Sequence, residues 1–518
     1  MKAKGNDLLK GRSKIIFDKS LGKGKIGFER ESLRVIDSSI SRNDHPISIG
    51  SALCNKYITT DFSEAQIELI TPPLSNSSSA LSFLEDIHHF VSCNIGDEIL
   101  WPFSMPPYID NDKDIPIAKY GSSNLAIFKQ IYRKGLSYRY GSMMQVISGF
   151  HFNYSFSDSF WLDISDTKKD YLENNIKSHS YFAMIRNIQR YNWLILYLFG
   201  ASPLVTSKFI GNRDISKFKK LEDNIYYMPF ATSLRMSEYG YQNLTRKTLN
   251  VSFESLNKYV SDLQNLTQTK NEDYLKITKN YGLQSQLNPN ILQIEDEYYS
   301  VARPKSIIDS VGPQTAKLQK SGVDFIELRS LDLNPYSRIG IDKETVIFVE
   351  LFLYYCALGE SDPISIEEGK DITSNDLSVS KYGRRPNLKL TKDSDSITLN
   401  QWGRLITEEM IPIAEAFGDD SELYLQVIER MRDKLDNPEI TFSGRILDYL
   451  LSSKTSYIDF GNSIGESNKS DYLSLDKSLC NKWDLLESEI ERSIKSQKEL
   501  ELLSDEDIYE FISNYSSY

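Results

Sequence analysis

The stretch Ser148–Phe156 constrains the fold more tightly than any other part of the chain. Phe150, Phe152, Tyr154 and Phe156 alternate with Gly149, His151, Asn153 and Ser155, and an extended strand sorts those two sets onto opposite faces. The aromatic set must be buried, so this is a strand of a half-buried sheet whose second face is free for polar chemistry. Ile26–Ile36, with Glu29, Glu31, Leu33 and Val35 on one face, is read the same way. So are Gln66–Thr71, stopped by Pro72-Pro73, and Val323–Leu333, where Ile326 and Leu328 alternate with Glu327 and Arg329.

Between these strands, helical apolar spacing predicts Ser79–Leu100, Phe182–Phe199, Thr345–Leu358 and Asn400–Phe417, and a charged amphipathic helix over Trp483–Leu503. Ser504-x-x-Asp507 predicts a capping box opening a last short helix. Ser361–Ser396, rich in Ser, Asp, Pro and Gly, predicts an irregular excursion. Strands and helices mix without a strict βαβ rhythm, which predicts an α+β fold with an antiparallel or mixed sheet. No repeat of fixed period occurs, which argues against a solenoid or propeller. The expectation is one catalytic unit over 1–518, with the excursion near 361–396 and a C-terminal helical tail.

Composition narrows the function. A net charge of −12 over 518 residues argues against a general binder of nucleic acid or anionic membrane. Four cysteines, Cys54, Cys93, Cys356 and Cys480, lie too far apart for a zinc site or disulfide scaffold, so the cytoplasm is the expected compartment. Trp193–Ala201 and Val346–Leu358 are too short to span a bilayer, and Glu350 interrupts the second. Three motifs are decoys. Gly22–Gly27 spells G-x-G-x-x-G but leads into a strand bearing two carboxylates, where a dinucleotide-binding fingerprint must open a helix; a kinase glycine loop, which a strand does follow, stays open at this point. Asp459-Phe-Gly461 has no accompanying H-R-D, so a kinase is excluded. His88-His89 are about 100° apart on a helix and cannot both face one metal.

What remains is a set of acidic residues with one histidine on strand faces: Glu29, Glu31, Asp61, Glu68, His151 and Glu327. Converging carboxylates repel unless a hard divalent cation joins them, and cysteine-free, oxygen-rich sets suit Mg²⁺. Mg²⁺ usually bridges protein to phosphate oxygens, and Arg329, Arg303 and Lys305 supply the remaining positive charge, which points to ATP. Among 31 tyrosines some can line a small-molecule pocket. Arg235 reads equally as a packing residue or as a carboxylate clamp.

Four longer blocks carry a resemblance: Gly27–Val35, Tyr57–Pro72, Ile147–Tyr154 and Phe325–Pro335. With Trp101–Pro106, Tyr120–Asn124 and Leu198–Pro203 they resemble the glutamate–cysteine ligases of the proteobacterial type. The resemblance implies a curved, mainly antiparallel sheet forming a funnel, as in the catalytic part of glutamine synthetase, with helices outside. It implies that ATP phosphorylates the γ-carboxyl of L-glutamate and that the amine of L-cysteine displaces the phosphate. By similarity, Glu29, Glu31, Asp61, Glu68, His151 and Glu327 hold Mg²⁺, for which Mn²⁺ can substitute. Arg329, with Glu327 the expected catalytic pair, meets the transferred phosphoryl group with Arg303 and Lys305 nearby. Tyr132, Gln145, Tyr241 and Tyr299 surround cysteine, and Arg235 points towards glutamate. A cytoplasmic monomer is expected, with no nucleic-acid or membrane partner. The alternative is a related ligase joining glutamate to another amine.

Overall fold

The structure, a computed structural model, describes residues 21–164, 176–240, 249, 251–308, 311–504 and 506–516. Its main sheet is built on β1 (Lys25–Ile36), β2 (Ile58–Thr60), β3 (Gln66–Ile70), β4 (Phe150–Ser155), β5 (Ala302–Lys305) and β6 (Phe325–Leu331). These run in the order β5-β6-β4-β1-β3-β2, and every pairing along that path is antiparallel. The short strands Ser39–Ile40 and Ile99–Leu100 extend the sheet at the far end of β1. An α+β fold on an antiparallel sheet is therefore what the chain adopts.

The aromatic alternation in β4 sets which face is core. Phe150, Phe152 and Tyr154 are wholly buried, and Phe28 from β1 packs against both phenylalanines with ring centroids 5.5 Å apart. Helices α1 (Ser77–Asn94), α2 (Asn124–Tyr140), α3 (Ile176–Phe199) and α4 (Lys343–Leu358) pack around the sheet. Of the two apolar stretches read as too short for a membrane, the first forms the end of the buried α3 as far as Phe199 and the second lies in α4, and no helix among the described residues is long and apolar enough to cross one.

Glu350, the lone charge of the α4 stretch, is held by two phenols. Tyr154 Oη donates to its Oε1 at 2.9 Å and Tyr424 Oη to its Oε2 at 2.8 Å. Burial raises this carboxyl's pKa, and the two hydroxyls offset that only in part. Tyr154→Phe is therefore expected to lower stability by about 1–2 kcal/mol, read as a lower denaturant midpoint at unchanged slope. An unchanged midpoint would mean that Glu350 does not draw on this phenol.

The same phenol explains the glycine loop. A Cβ on Gly24 would lie 2.3 Å from Tyr154 Oη, and the Gly22 N–H donates to Tyr354 Oη at 3.0 Å. Close packing against Tyr154 of β4 is what Gly24 accommodates.

Two expectations need correction. Ser361–Ser396 is not irregular: it holds helix α5 (Ile366–Tyr382) and a hairpin pairing Lys389–Lys392 with Asp395–Thr398. Ser365 caps α5 by accepting from the Glu368 N–H at 3.1 Å, and Asp393 and Ser394 take the positive φ values, 51° and 65°, that a tight hairpin turn needs. The Ser/Asp richness marked caps and turns within ordered structure. At the tail, α6 (Trp483–Leu502) and α7 (Ile508–Ser516) form as helices, but Ser504 does not cap α7. Its Oγ accepts from the Asn124 N–H at 3.1 Å, and Asp507 caps instead, accepting from the Tyr509 N–H at 2.9 Å.

Candidate active site

Register brings the acidic residues together. Glu29 pairs across to His151, and Glu31 to Glu68. Asn153 of β4 lies opposite Gly27 on one side and Glu327 on the other, and Arg303 lies opposite Glu327. Side chains two apart on a strand share a face, and cross-strand partners sit about 5 Å apart. One face of the sheet, opposite the aromatic core, therefore gathers groups from five strands.

His151 is the hub. Its Nδ1 lies 3.2 Å from Glu29 Oε2 and 3.3 Å from Glu327 Oε1, and its Nε2 lies 3.6 Å from Glu31 Oε1. Glu31 is also fixed from behind, accepting from the Gly149 N–H at 2.7 Å. Glu327 meets two cations: Arg329 Nη1 is 2.8 Å from Oε1 and Lys305 Nζ is 3.3 Å from Oε2. A register shift between Leu328 and Leu331 re-aims this end of β6. The Arg329 N–H bonds to the Val301 carbonyl at 2.9 Å, and its guanidinium lies 5.6 Å from the Tyr299 ring centre.

These surroundings split the carboxylates into two kinds. Burial pushes the Glu31 carboxyl up, with Asp61 adding to the rise and the charges of His151, Arg235 and Arg329 offsetting only part of it. Glu68 is pushed well above its ordinary value by burial and by Glu29, Asp61, Glu31 and Glu327. Burial also penalises Glu327, but Arg329, Lys305, His151 and Arg303 hold it well below the usual carboxylate range. At Glu29, burial and Glu327 act upward and are outweighed by the His151 hydrogen bond and charge and by Lys305.

All of these groups surround one cavity of about 380 Å³. Glu29, Glu31, Asp61, Glu68, His151 and Glu327 line it, as do Tyr132, Gln145, Tyr299, Arg303, Lys305 and Arg329. One described residue of the predicted set is not among its walls. Arg235 lies behind, 1% exposed, donating to the Arg329 carbonyl at 3.0 Å with Asp332 3.6 Å away. That arrangement supports the backbone of Arg329; the orientation towards glutamate is what the resemblance implies for Arg235. Tyr241 lies outside the described residues.

Several cavity residues were not foreseen. Leu125, Phe128, Lys129, Arg133, Leu136 and Tyr140 form, with the foreseen Tyr132, one face of α2, a spacing of three and four that marks a helix side. Burial, reinforced by Arg133, lowers Lys129 to about 8. Glu297, also in the wall, is ion-paired with Arg139 at 3.0 Å and accepts from Tyr140 Oη at 2.6 Å.

A cation would fit the acidic end. Ligand atoms of Glu29, His151 and Glu327 all lie within 4.8 Å of one another. Glu327 Oε2 is buried and accepts no hydrogen bond from the described residues despite the neighbouring ammonium. Clustered carboxylate oxygens with one imidazole suit a hard or borderline divalent ion.

Residues 13–379 match the family model described as glutamate–cysteine ligase, and that stretch carries every strand that builds the cavity. The glutamate–cysteine ligase of Aliivibrio fischeri is 39% identical over 500 residues, spanning 95% of each chain. The chain belongs to the glutamate–cysteine ligase family. Among solved structures, the glutamate–cysteine ligase of Francisella tularensis in complex with AMP superposes with a TM-score of 0.89 at 34% identity, covering 96% of this chain and 98% of that one. A bifunctional glutathione synthetase from Pasteurella multocida gives 0.74 at 25% identity, over 93% of this chain and 57% of that chain. The likeness to that ligase thus extends beyond the matched 13–379 into the C-terminal part of the chain.

Proposed function

We propose that the protein joins the γ-carboxyl of L-glutamate to the amine of L-cysteine at the expense of ATP, giving γ-glutamylcysteine, ADP and phosphate. The observation that carries this reading is the cavity itself: acidic groups at one side, Arg329, Arg303 and Lys305 beside them, and aromatic walls, in a chain of this family.

A carboxylate is a poor acyl donor until one of its oxygens becomes part of a phosphate leaving group. In the proposed sequence a γ-carboxyl oxygen of glutamate attacks the γ-phosphorus of ATP and ADP leaves; the cysteine amine then attacks the acyl carbon and phosphate departs. Glu29, Glu31, Asp61, Glu68, His151 and Glu327 are the residues that would hold Mg²⁺ or Mn²⁺. Such ions, when bound, neutralise charge on the phosphate oxygens. Arg329 is suited to the transferred phosphoryl group, because its planar fork presents two parallel donors, while Glu327 fixes one end of that fork. Lys305 and Arg303 add positive charge on the same side. Tyr132, Gln145 and Tyr299 would bound the amine's pocket and exclude water, which otherwise hydrolyses the acyl phosphate. A monomer is proposed as the working unit. Four thiols unpaired as disulfides support a reducing cytoplasm.

The activated carboxyl is testable directly. Glutamate labelled with ¹⁸O in its γ-carboxyl should deliver one label into inorganic phosphate for each dipeptide made; unlabelled phosphate would remove the acyl phosphate.

Proton linkage gives a second expectation. Glu31 and Glu68 have raised pKa values, so the stability they contribute in the metal-free chain is full below their unfolded values and is lost as pH rises through the folded ones. A divalent ion competes with those protons. Mg²⁺ or Mn²⁺ should therefore raise the melting temperature more at about pH 8 than at about pH 5. Equal shifts at both would place the ion elsewhere.

A further inference from the structure

The tail is outside the matched family segment 13–379, yet it returns to the cavity. Helix α6 runs past the loop before α2, and residues at its end close the first turn of α2. The Ser122 N–H donates to Glu501 Oε1 at 3.0 Å, the Asn124 N–H to Ser504 Oγ at 3.1 Å, and Asn124 Nδ2 to the Glu506 carbonyl at 2.7 Å. A first-turn N–H has no partner within its own helix, so for Asn124 the tail supplies a partner that α2 cannot. The fit is close: a Cβ on Gly121, where φ is +102°, would lie 2.2 Å from Glu501 Oε1. Helix α7 then lays two aromatic rings on Phe128, Tyr515 at a centroid distance of 4.3 Å and Phe511 at 6.0 Å.

Phe128 is part of the reaction cavity, and so is Tyr515. Tyr515 also lines a second cavity of about 320 Å³, which shares Ile294 and Asp296 with the first. It thus stands on the boundary between the two spaces.

We propose that α7 is a working wall of the reaction cavity, and that Tyr515 is a positioning residue that keeps water from the activated carboxyl. This rests on the ligase reading. With the ring gone, the two cavities merge beside Phe128 and water gains a path to the acyl phosphate. Water attacking that carbon returns glutamate and phosphate, so ADP accumulates without dipeptide. Coupling between ADP and product therefore reports this role, whereas a residue that only stabilises the fold would change both together.

The experiment measures ADP and γ-glutamylcysteine in parallel, with KM for glutamate and cysteine, for the wild type, Tyr515→Ala, Tyr515→Phe and Tyr509→Ala. Tyr509 lies on the same helix but is 44% exposed, and serves as the control. The expected result is one ADP per dipeptide for wild type, Tyr509→Ala and Tyr515→Phe. For Tyr515→Ala a severalfold excess of ADP is expected, with at least one KM raised on the order of tenfold. Tyr515→Leu, which keeps apolar bulk against Phe128, replaces the alanine variant if that loosens the tail. One-to-one coupling and unchanged KM values in a folded Tyr515→Ala or Tyr515→Leu chain overturn this inference alone. A wild type that makes no dipeptide overturns the ligase reading and this inference with it.

Discussion

Glu327→Gln is expected to lower γ-glutamylcysteine synthesis by about 10²- to 10³-fold or more while leaving a folded chain. The substitution keeps the shape of a side chain that is only 2% exposed and removes the charge on which three neighbours depend. His151 Nδ1, Arg329 Nη1 and Lys305 Nζ all approach Glu327 within 3.3 Å. Without the carboxylate, the two permanent cations face each other uncompensated and the proposed cation site loses an oxygen donor that Arg329 and Lys305 keep ionised. The loss should therefore appear twice, in turnover and in the divalent-dependent rise of melting temperature. Wild-type turnover in the variant would remove Glu327 from the reaction, and a wild-type thermal response would remove it from the metal site.

Arg329→Lys is the second large effect, expected to cut kcat by about 10²-fold or more while nucleotide affinity changes less than about tenfold. Charge alone is kept by lysine; the fork is not. Arg329 is held at three points: by its N–H on Val301, by its carbonyl on Arg235, and by Nη1 on Glu327. That immobilisation aims the guanidinium into the cavity before substrate arrives, which is where electrostatic stabilisation of a transferring phosphoryl group is strongest. A loss shared equally between kcat and affinity would mean that Arg329 holds the ground-state nucleotide only. Arg235→Lys should mimic this phenotype in weaker form, because it loosens the carbonyl support.

How much of this was legible in the sequence follows from periodicity. Strand β4 and the Glu29/Glu31 and Glu327/Arg329 pairs were readable because a half-buried antiparallel strand alternates with period two, so a polar residue between aromatics announces its face. Their convergence depended on register, which sequence alone does not set; the resemblance supplied it. The α2 wall was less legible. Lys129 and Arg133 sit among apolar neighbours at helical spacing and look like ordinary surface charges until the cavity shows that this side of the helix faces inward. Glu297 lies in a short turn with no period to read, and its role emerges only from Arg139 and Tyr140. The Arg235 ambiguity was real, since a guanidinium satisfies a substrate carboxylate and a backbone carbonyl with the same donors. Ser361–Ser396 misled because Ser and Asp mark helix starts and hairpin turns as readily as irregular chain. Tyr515 carried no signal at all: its placement follows from a tail that folds back across more than 370 residues of sequence onto Asn124.

The most direct test of the central claim is product formation by the purified chain with Mg²⁺ and ATP, given glutamate alone, cysteine alone, both, or glutamate with 2-aminobutyrate. The account predicts rapid ADP release only when glutamate and an amine acceptor are both present, with γ-glutamylcysteine as the product when that acceptor is cysteine. Turnover of glutamate with other amines but not with cysteine would contradict it, leaving the sheet and its acidic face in place and the substrate assignment wrong.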